Sequence, residues 1–413
     1  MAENALYHEF PNGLTLIGEP MRWVESVGVS IRLQAGSIYD PPEKAGLAHF
    51  TTEMAMRGAG ARDSRALVQE LGLYGIHHAA GTGTGFAKFG FATVSARIAK
   101  GFEIFADVVR RPQLPASQVE NVRQGILQEL RGLADEPAAL LVRELKRVFY
   151  PYPIGRPTSG DEESVARITL SDIQEHHARY YQPDGGLIAV AGKFNWEELV
   201  DLVGDFFGDW QGQKPPEVRL IPSNVRYRHC PHPSEQVQIG VAFPGPAYSH
   251  GDFFQAWAAA AVLGHGSGSR LFRELREKRG LCYGCGASYH SGRLQGGTFC
   301  YASTSADRAQ KTLDVLLGEI RQLAEGIQPE ELHRIKATIK SAMIMSQESS
   351  MVRCGAIARD WVLLRRVRPI EELRRIIDDL SAESINAFLA ANPPRNLVIV
   401  TVGPKELEVN GEL

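Results

Sequence analysis

The sequence predicts an α+β fold built twice in one chain. Three observations carry this: a length of 413 residues, more than a single core fills; a repeated order of strand, helix, strand pair and helix; and a polar, proline-bearing stretch between the copies. In the first copy, Glu25-Ser-Val-Gly-Val-Ser-Ile-Arg-Leu alternates as a half-buried strand does, and a turn bearing Gly and Pro leads to a helix beginning near Ala45. Phe89 to Ser95 reads as a further strand that runs into a helix from Ala96. In the second copy, Glu235-Gln-Val-Gln-Ile-Gly-Val-Ala-Phe alternates in the same way, Pro244 to Gly251 turn the chain, and a helix starts near Asp252. Gly297 to Thr304 then lead into a helix from Ala306. The copies also close alike, on Gly186-Leu-Ile-Ala-Val-Ala-Gly and on Asn396-Leu-Val-Ile-Val-Thr-Val-Gly. The stretch Gly212-Gln-Lys-Pro-Pro-Glu-Val-Arg-Leu-Ile-Pro has linker composition, so domains of residues 1–211 and 227–413 are expected around a linker at 212–226.

Hydrophobic residues make up 44% of the chain and charged residues 23%, the composition of a fully folded globular protein. A net charge of -3 leaves no basic excess to draw in nucleic acid or anionic lipid. Neither a basic N-terminal region followed by an apolar run nor an apolar stretch of about 18 residues is seen, so a cytoplasmic protein with no membrane partner is expected. Five cysteines, few and odd in number, argue against a disulfide framework. Cys282 and Cys285 spell C-x-x-C, but positions three apart on a regular strand face opposite sides, which favours partly buried thiols over a redox or metal motif.

Chemistry concentrates at Gly46-Leu-Ala-His-Phe-Thr-Thr-Glu-Met-Ala-Met-Arg-Gly. On a helix His49 and Glu53 are four apart and share a face, as two ligands of one metal ion do. The segment is similar to an inverted zincin motif, H-x-x-E-H, in which Thr52 stands at the general-base position and Glu53 at the second ligand position. A second helix, Val119 to Ala134, ends in an Asp135-x-Pro137 stop and carries Glu129. In the second half, Gly268-Ser-Arg-Leu-Phe-Arg-Glu-Leu-Arg-Glu-Lys-Arg-Gly-Leu-Cys-Tyr reads as a basic amphipathic helix stopped at Gly280 and followed by a strand from Leu281. From residue type alone, Arg276 as a cap of the last helical carbonyls and Tyr283 as sheet packing stay open.

Together with Pro11-Asn-Gly-Leu-Thr and Ala35-Gly-Ser, these blocks make essentially the whole chain resemble the M16 zinc peptidases, the pitrilysin or insulinase-like group, in half-length form. The resemblance implies two homologous α+β domains, each a mainly antiparallel sheet packed with helices, facing each other across a cleft. It implies that Glu129 stands at the third zinc-ligand position, and that a supporting glutamate is replaced by Val122. It also implies that Arg276 and Tyr283 contact the substrate backbone at a zinc site, and that residues 79 to 86 provide an edge strand for an extended peptide.

Some half-length members work as heterodimers in which one chain keeps H-x-x-E-H and the other supplies the Arg and Tyr. This chain matches the second kind. The expectation is a non-catalytic subunit, inactive alone because Thr52 accepts no proton near neutral pH, binding no metal cofactor itself. Its expected partners are a homologous zinc-bearing chain with an intact motif and peptide or small protein substrates. Two alternatives accompany this: a structural or chaperone-like peptide-binding subunit without proteolysis, and a weak metallopeptidase using His49, Glu53 and Glu129, a set suited to Mn or Mg better than Zn.

Weaker signals have plainer readings. Gly81-Thr-Gly-Thr-Gly lacks the G-K-[ST] of a phosphate loop and reads as a flexible strand or turn near the cleft. The pairs His77-His78 and His176-His177 read as solvated or locally bonded, Gly264 to Ser269 as a helix break, and the basic run Leu363 to Pro369 with Arg374-Arg375 as solvated faces or a subunit contact.

Overall fold

Alternation of apolar and polar residues sets the strands, and capping side chains set where the helices begin. The computed structural model describes residues 5–409; residues 1–4 and 410–413, at the ends of the two expected domains, lie outside them. The first half holds β1 (Leu6–Glu9), β2 (Thr15–Pro20), β3 (Ser26–Leu33), α1 (Leu47–Ala55), a short ladder of β4 (Gly58–Ala59) and β5 (Arg62–Asp63), α2 (Ser64–Leu73), β6 (His77–Thr82) and β7 (Ala87–Val94). It continues with α3 (Ile98–Arg110), α4 (Ala116–Asp135), α5 (Pro137–Phe149), α6 (Glu162–Arg167), α7 (Leu170–Tyr180), β8 (Leu187–Gly192) and α8 (Trp196–Phe207).

The second half holds β9 (Tyr227–Pro231), β10 (Gln236–Gly245), α9 (Phe253–Gly264), β11 (Cys282–Ser291), β12 (Gly296–Ser305), α10 (Ala309–Leu323), α11 (Pro329–Ser346), α12 (Ser350–Leu364), α13 (Ile370–Asp379), α14 (Ala382–Ala391) and β13 (Val398–Gly403). Asp63, Thr169, Asn195, Ser349 and Ser381 each accept a backbone N–H at the first turn of the helix that follows. Pro137 stops α4 and opens α5, its missing N–H falling where a helix has no internal partner for one.

The duplication is visible in the sheets. The first runs β1-β2-β8-β3-β7-β6 and the second, read from its other edge, β9-β13-β10-β12-β11. Apart from the extra β1 the two orders superimpose strand for strand. Both sheets are antiparallel except at one matched junction, β2 with β8 and β9 with β13. Residues 212–226 form no strand or helix, touching the first half through a bridge between Ile221 and Tyr152.

One helix from each half crosses onto the other half's sheet. Leu141, Leu145 and Val148 of α5 pack on Ala242, Phe299, Val398, Val400 and Val402. Cys354, Ile357 and Ala358 of α12 pack on Ile17, Met21, Leu187, Ala189 and Ala191. Each crossing also carries an ion pair: Arg353 of α12 binds Glu19 of β2, and Glu144 of α5 lies 3.2 Å from Arg228 of β9. Because the other face of each sheet packs on its own half, β8 and β13 are buried at every residue, which is why both are continuous apolar runs rather than alternating ones.

Two sequence expectations change here. His176 is buried, not solvated, because α7 presses that face inward; burial lowers its imidazole to about 3, so it stays neutral, while His177 Nε2 lies 3.0 Å from the Val109 carbonyl. Arg368, in the basic run, is also buried: its guanidinium sits 4.3 Å from the centre of the Tyr248 ring and pairs with Asp360.

Candidate functional site

Helix α1 is preceded by Gly46 at its N-cap, whose φ of +95° only glycine adopts freely and where an added Cβ would come within 2.7 Å of the Ser159 carbonyl. Glycine supplies no capping side chain. Asp40 does so from six residues earlier: its two oxygens accept the Gly46 and Ala48 amides, each at 2.8 Å. Burial raises the Asp40 carboxyl to about 7, opposed by those same amide bonds. Arg156 ties the loop down by donating to the Asp40 carbonyl at 2.7 Å.

Along α1 the candidate residues divide. His49 Nε2 lies 3.5 Å from Glu129 Oε2 on α4, so the fold brings these two together. Glu53 points elsewhere: its carboxylate pairs with Arg57 at 3.5 Å, one turn on. Val122 is buried against Leu47, Phe50 and Met54, a purely apolar contact between α4 and α1. Thr52 is fully buried. Its hydroxyl donates to the Ala48 carbonyl at 3.0 Å, accepts from Thr82 of β6 at 2.9 Å, and meets the Tyr181 hydroxyl at 3.2 Å. Tyr181 is itself buried, and burial pushes its phenol well above the ordinary range. Position 52 thus holds a link in a hydroxyl chain between α1, β6 and the end of α7.

A catalytic zinc site of the kind H-x-x-E-H builds takes three protein ligands and an open position for water. Here two donors converge, the third is held by an arginine, and among the described residues no three His, Cys, Asp or Glu side chains gather as a metal site. The donor set does not fit that centre.

In the second half the expected basic helix is a π-helical turn, Phe272–Glu277, closed by Gly280 at φ +59°. Glu274 holds it together from inside, paired with Lys278 and Arg279, which set its carboxyl at about 2. Arg276 faces out, its guanidinium 5.0 Å from the Phe272 ring centre, and donates to the Tyr283 carbonyl at 2.7 Å. Tyr283 sits where the ladder of β11 with β12 shifts register, between Cys282 and Gly284, and it is 84% exposed. Neither plain reading of the pair holds: Arg276 does not serve as a cap for its own helix, and Tyr283 does not pack in the sheet. Cys282 and Cys285 are the partly buried free thiols expected, but the same bulge overturns the expectation that they face opposite sides. One extra residue between them reverses the alternation, so both thiols face the same apolar core and each shifts the other's ionisation.

Sequence motifs did not mark Asp40 or Tyr181, and residues 79 to 86 were marked only as a strand or turn near a cleft, not for the contact Thr82 makes with Thr52.

Residues 22–162 match the model for insulinase, peptidase family M16, and residues 167–339 match that for the peptidase M16 inactive domain. The chain belongs to the M16 peptidase family. An uncharacterized zinc protease of Rickettsia bellii is 28% identical to this M16 chain over 391 residues, covering 93% of it and 94% of the relative. The beta subunit of the human mitochondrial-processing peptidase is 26% identical, covering 91% of this chain and 80% of that protein. The crystal structure of a peptidase M16 inactive domain from Pseudomonas fluorescens superimposes with a TM-score of 0.89 at 22% identity, covering 99% of this M16 chain and 100% of that one. That last likeness establishes the fold. No helix among the described residues is long and apolar enough to cross a membrane.

Proposed function

We propose that this M16 chain is the non-catalytic, substrate-contacting subunit of a heterodimeric metallopeptidase. The observation that carries the reading is Thr52, buried in a hydroxyl chain where the family motif places a general base. A threonine hydroxyl takes no proton from water near neutral pH, and loss of a positioned base costs roughly a hundredfold to ten-thousandfold in rate. The zinc and the base belong to a homologous half-length partner with an intact H-x-x-E-H motif. In support, the human relative that aligns with most of this chain is by its name a subunit.

Arg276 and Tyr283 are this chain's contribution. One guanidinium N–H is committed to the Tyr283 carbonyl, which fixes the arginine beside the bulge and leaves its other donors and the phenol facing solvent. A guanidinium and a phenol both donate to a peptide carbonyl and to the oxyanion formed when water attacks it. The test is cleavage of a fluorogenic peptide by the zinc-bearing chain with and without this one. Adding this chain should raise the rate, and Arg276→Ala or Tyr283→Phe should remove the gain by on the order of a hundredfold. Unchanged rates with both variants, or stoichiometric zinc with turnover by the isolated chain, would overturn the proposal.

A further inference from the structure

Arg32 of β3 and Lys88 of β7 are direct cross-strand partners in the first sheet. Like charges placed opposite one another destabilise a strand pair, so the arrangement needs a reason. Arg32 is half-buried against α12, where Nη2 donates to the Gly355 carbonyl at 3.0 Å while Nε is buried with no hydrogen-bond partner. Lys88 makes no ion pair or hydrogen bond among the described residues. Arg359 of α12 adds a third cation close enough to repel Arg32, and its own contact is with the Tyr248 ring. Burial holds both the Arg32 and the Lys88 cations below their ordinary range, and Arg32 lowers Lys88 further. No carboxylate pairs with any of the three among the described residues, in a chain where acids outnumber bases 48 to 45.

The surroundings suit an incoming chain. β6 is the outer strand of the sheet, and Gly81 is the residue of β6 opposite Lys88. Strands lie about 4.8 Å apart, so a peptide added to β6 runs about 9.6 Å from β7. A lysine stem and an acidic side chain together span that gap, and Gly81, with nothing within 4 Å of where its Cβ would be, leaves the path open. Lys88 also lies over the following turn, its Nζ 3.2 Å from where a Cβ on Gly83 would stand. The residue before that glycine, Thr82, is the one bonded to Thr52.

We infer that Lys88, with Arg32 and Arg359 adding positive charge behind it, forms a carboxylate-recognition subsite that selects acidic peptides laid along β6. Two cations set opposite one another with no carboxylate between them repel, and an anionic ligand that settles beside exposed Lys88 relieves that repulsion on binding. The inference rests on the reading of the chain as peptide-contacting.

The test measures fluorescence polarisation of labelled, extended peptides with the full chain. One peptide carries a central glutamate, a second carries glutamine there, and a third is the glutamine form ending in a free carboxylate instead of an amide. The glutamate or free-carboxylate peptide should bind about tenfold tighter than the blocked glutamine form, and the arm that gains identifies the carboxylate. The preference should shrink as salt rises, vanish in the exposed-site variant Lys88→Gln and return in Lys88→Arg. Equal binding of all three peptides, or a preference that survives in Lys88→Gln, would sink the subsite while leaving peptide contact intact. If no peptide binds, the peptide-contacting reading falls, and this inference with it.

Discussion

Thr52 ties α1 to β6 and to the end of α7 through two hydroxyl contacts, which stabilise the helix it sits on. Asp40 completes that anchoring from outside the helix, and its chemistry gives a pH signature. Its carboxyl ordinarily titrates at 3.8 and burial raises it to about 7. A group whose folded pKa lies above its unfolded one contributes stability that is full below about 3.8 and lost as pH rises through about 7. Asp40→Asn removes this titration while keeping one acceptor for the amides. The gap in Tm between wild type and variant should therefore change between pH 5 and 7.5, in the direction of a wild type that weakens as pH rises. A gap that stays constant would show that Asp40 does not titrate there. Buried His176, lowered to about 3, acts in the opposite sense but is common to both proteins and cancels.

At the scale of elements, the crossing helices α12 and α5 are each seated over a glycine of the matched strands β3 and β10. A Cβ on Gly28 of β3 would come within 2.8 Å of the Ser350 and Met351 backbone at the start of α12. A Cβ on Gly240 of β10 would meet only the ends of the Leu141 and Leu145 side chains of α5, at 3.0 to 3.2 Å. Backbone cannot yield as a leucine tip can. Gly28→Ala should therefore destabilise by about 1–3 kcal/mol, and Gly240→Ala by clearly less, read as shifts in the urea midpoint. Equal shifts would mean that α12 moves as freely as a side chain.

At the scale of the whole molecule, the helix exchange makes each half part of the other's core. Fragments 1–211 and 227–413 would each expose an apolar sheet face that α12 or α5 covers in the intact chain. Each fragment alone should therefore fail to reach a cooperative fold, and the two mixed should recover near-UV circular dichroism and co-elute as one species. Independent, cooperative melting of either fragment would overturn this. The duplication itself was legible, because strand periodicity and the two apolar closing runs, near 190 and 400, are local properties of the chain. The exchange was not, because the apolar stripe of α5 reads the same whichever sheet it covers. The candidate site was legible in the same uneven way: the expected neighbours His49 and Glu129 lie 3.5 Å apart, but the pairing of Glu53 with Arg57 depends on a side-chain choice that no spacing encodes.

By itself the sequence determined the α+β class, the repeat and the family resemblance, since each is written in residue identity and short-range spacing. Only the tertiary structure decided that Thr52 is enclosed by Thr82 and Tyr181, that a bulge turns Cys282 and Cys285 to one face and Tyr283 to solvent, and that Arg32 and Lys88 stand opposite one another. The physical reason is the same in each case. Register, bulges and helix crossings join residues far apart in the chain, and one residue's shift in register reverses which face a side chain meets.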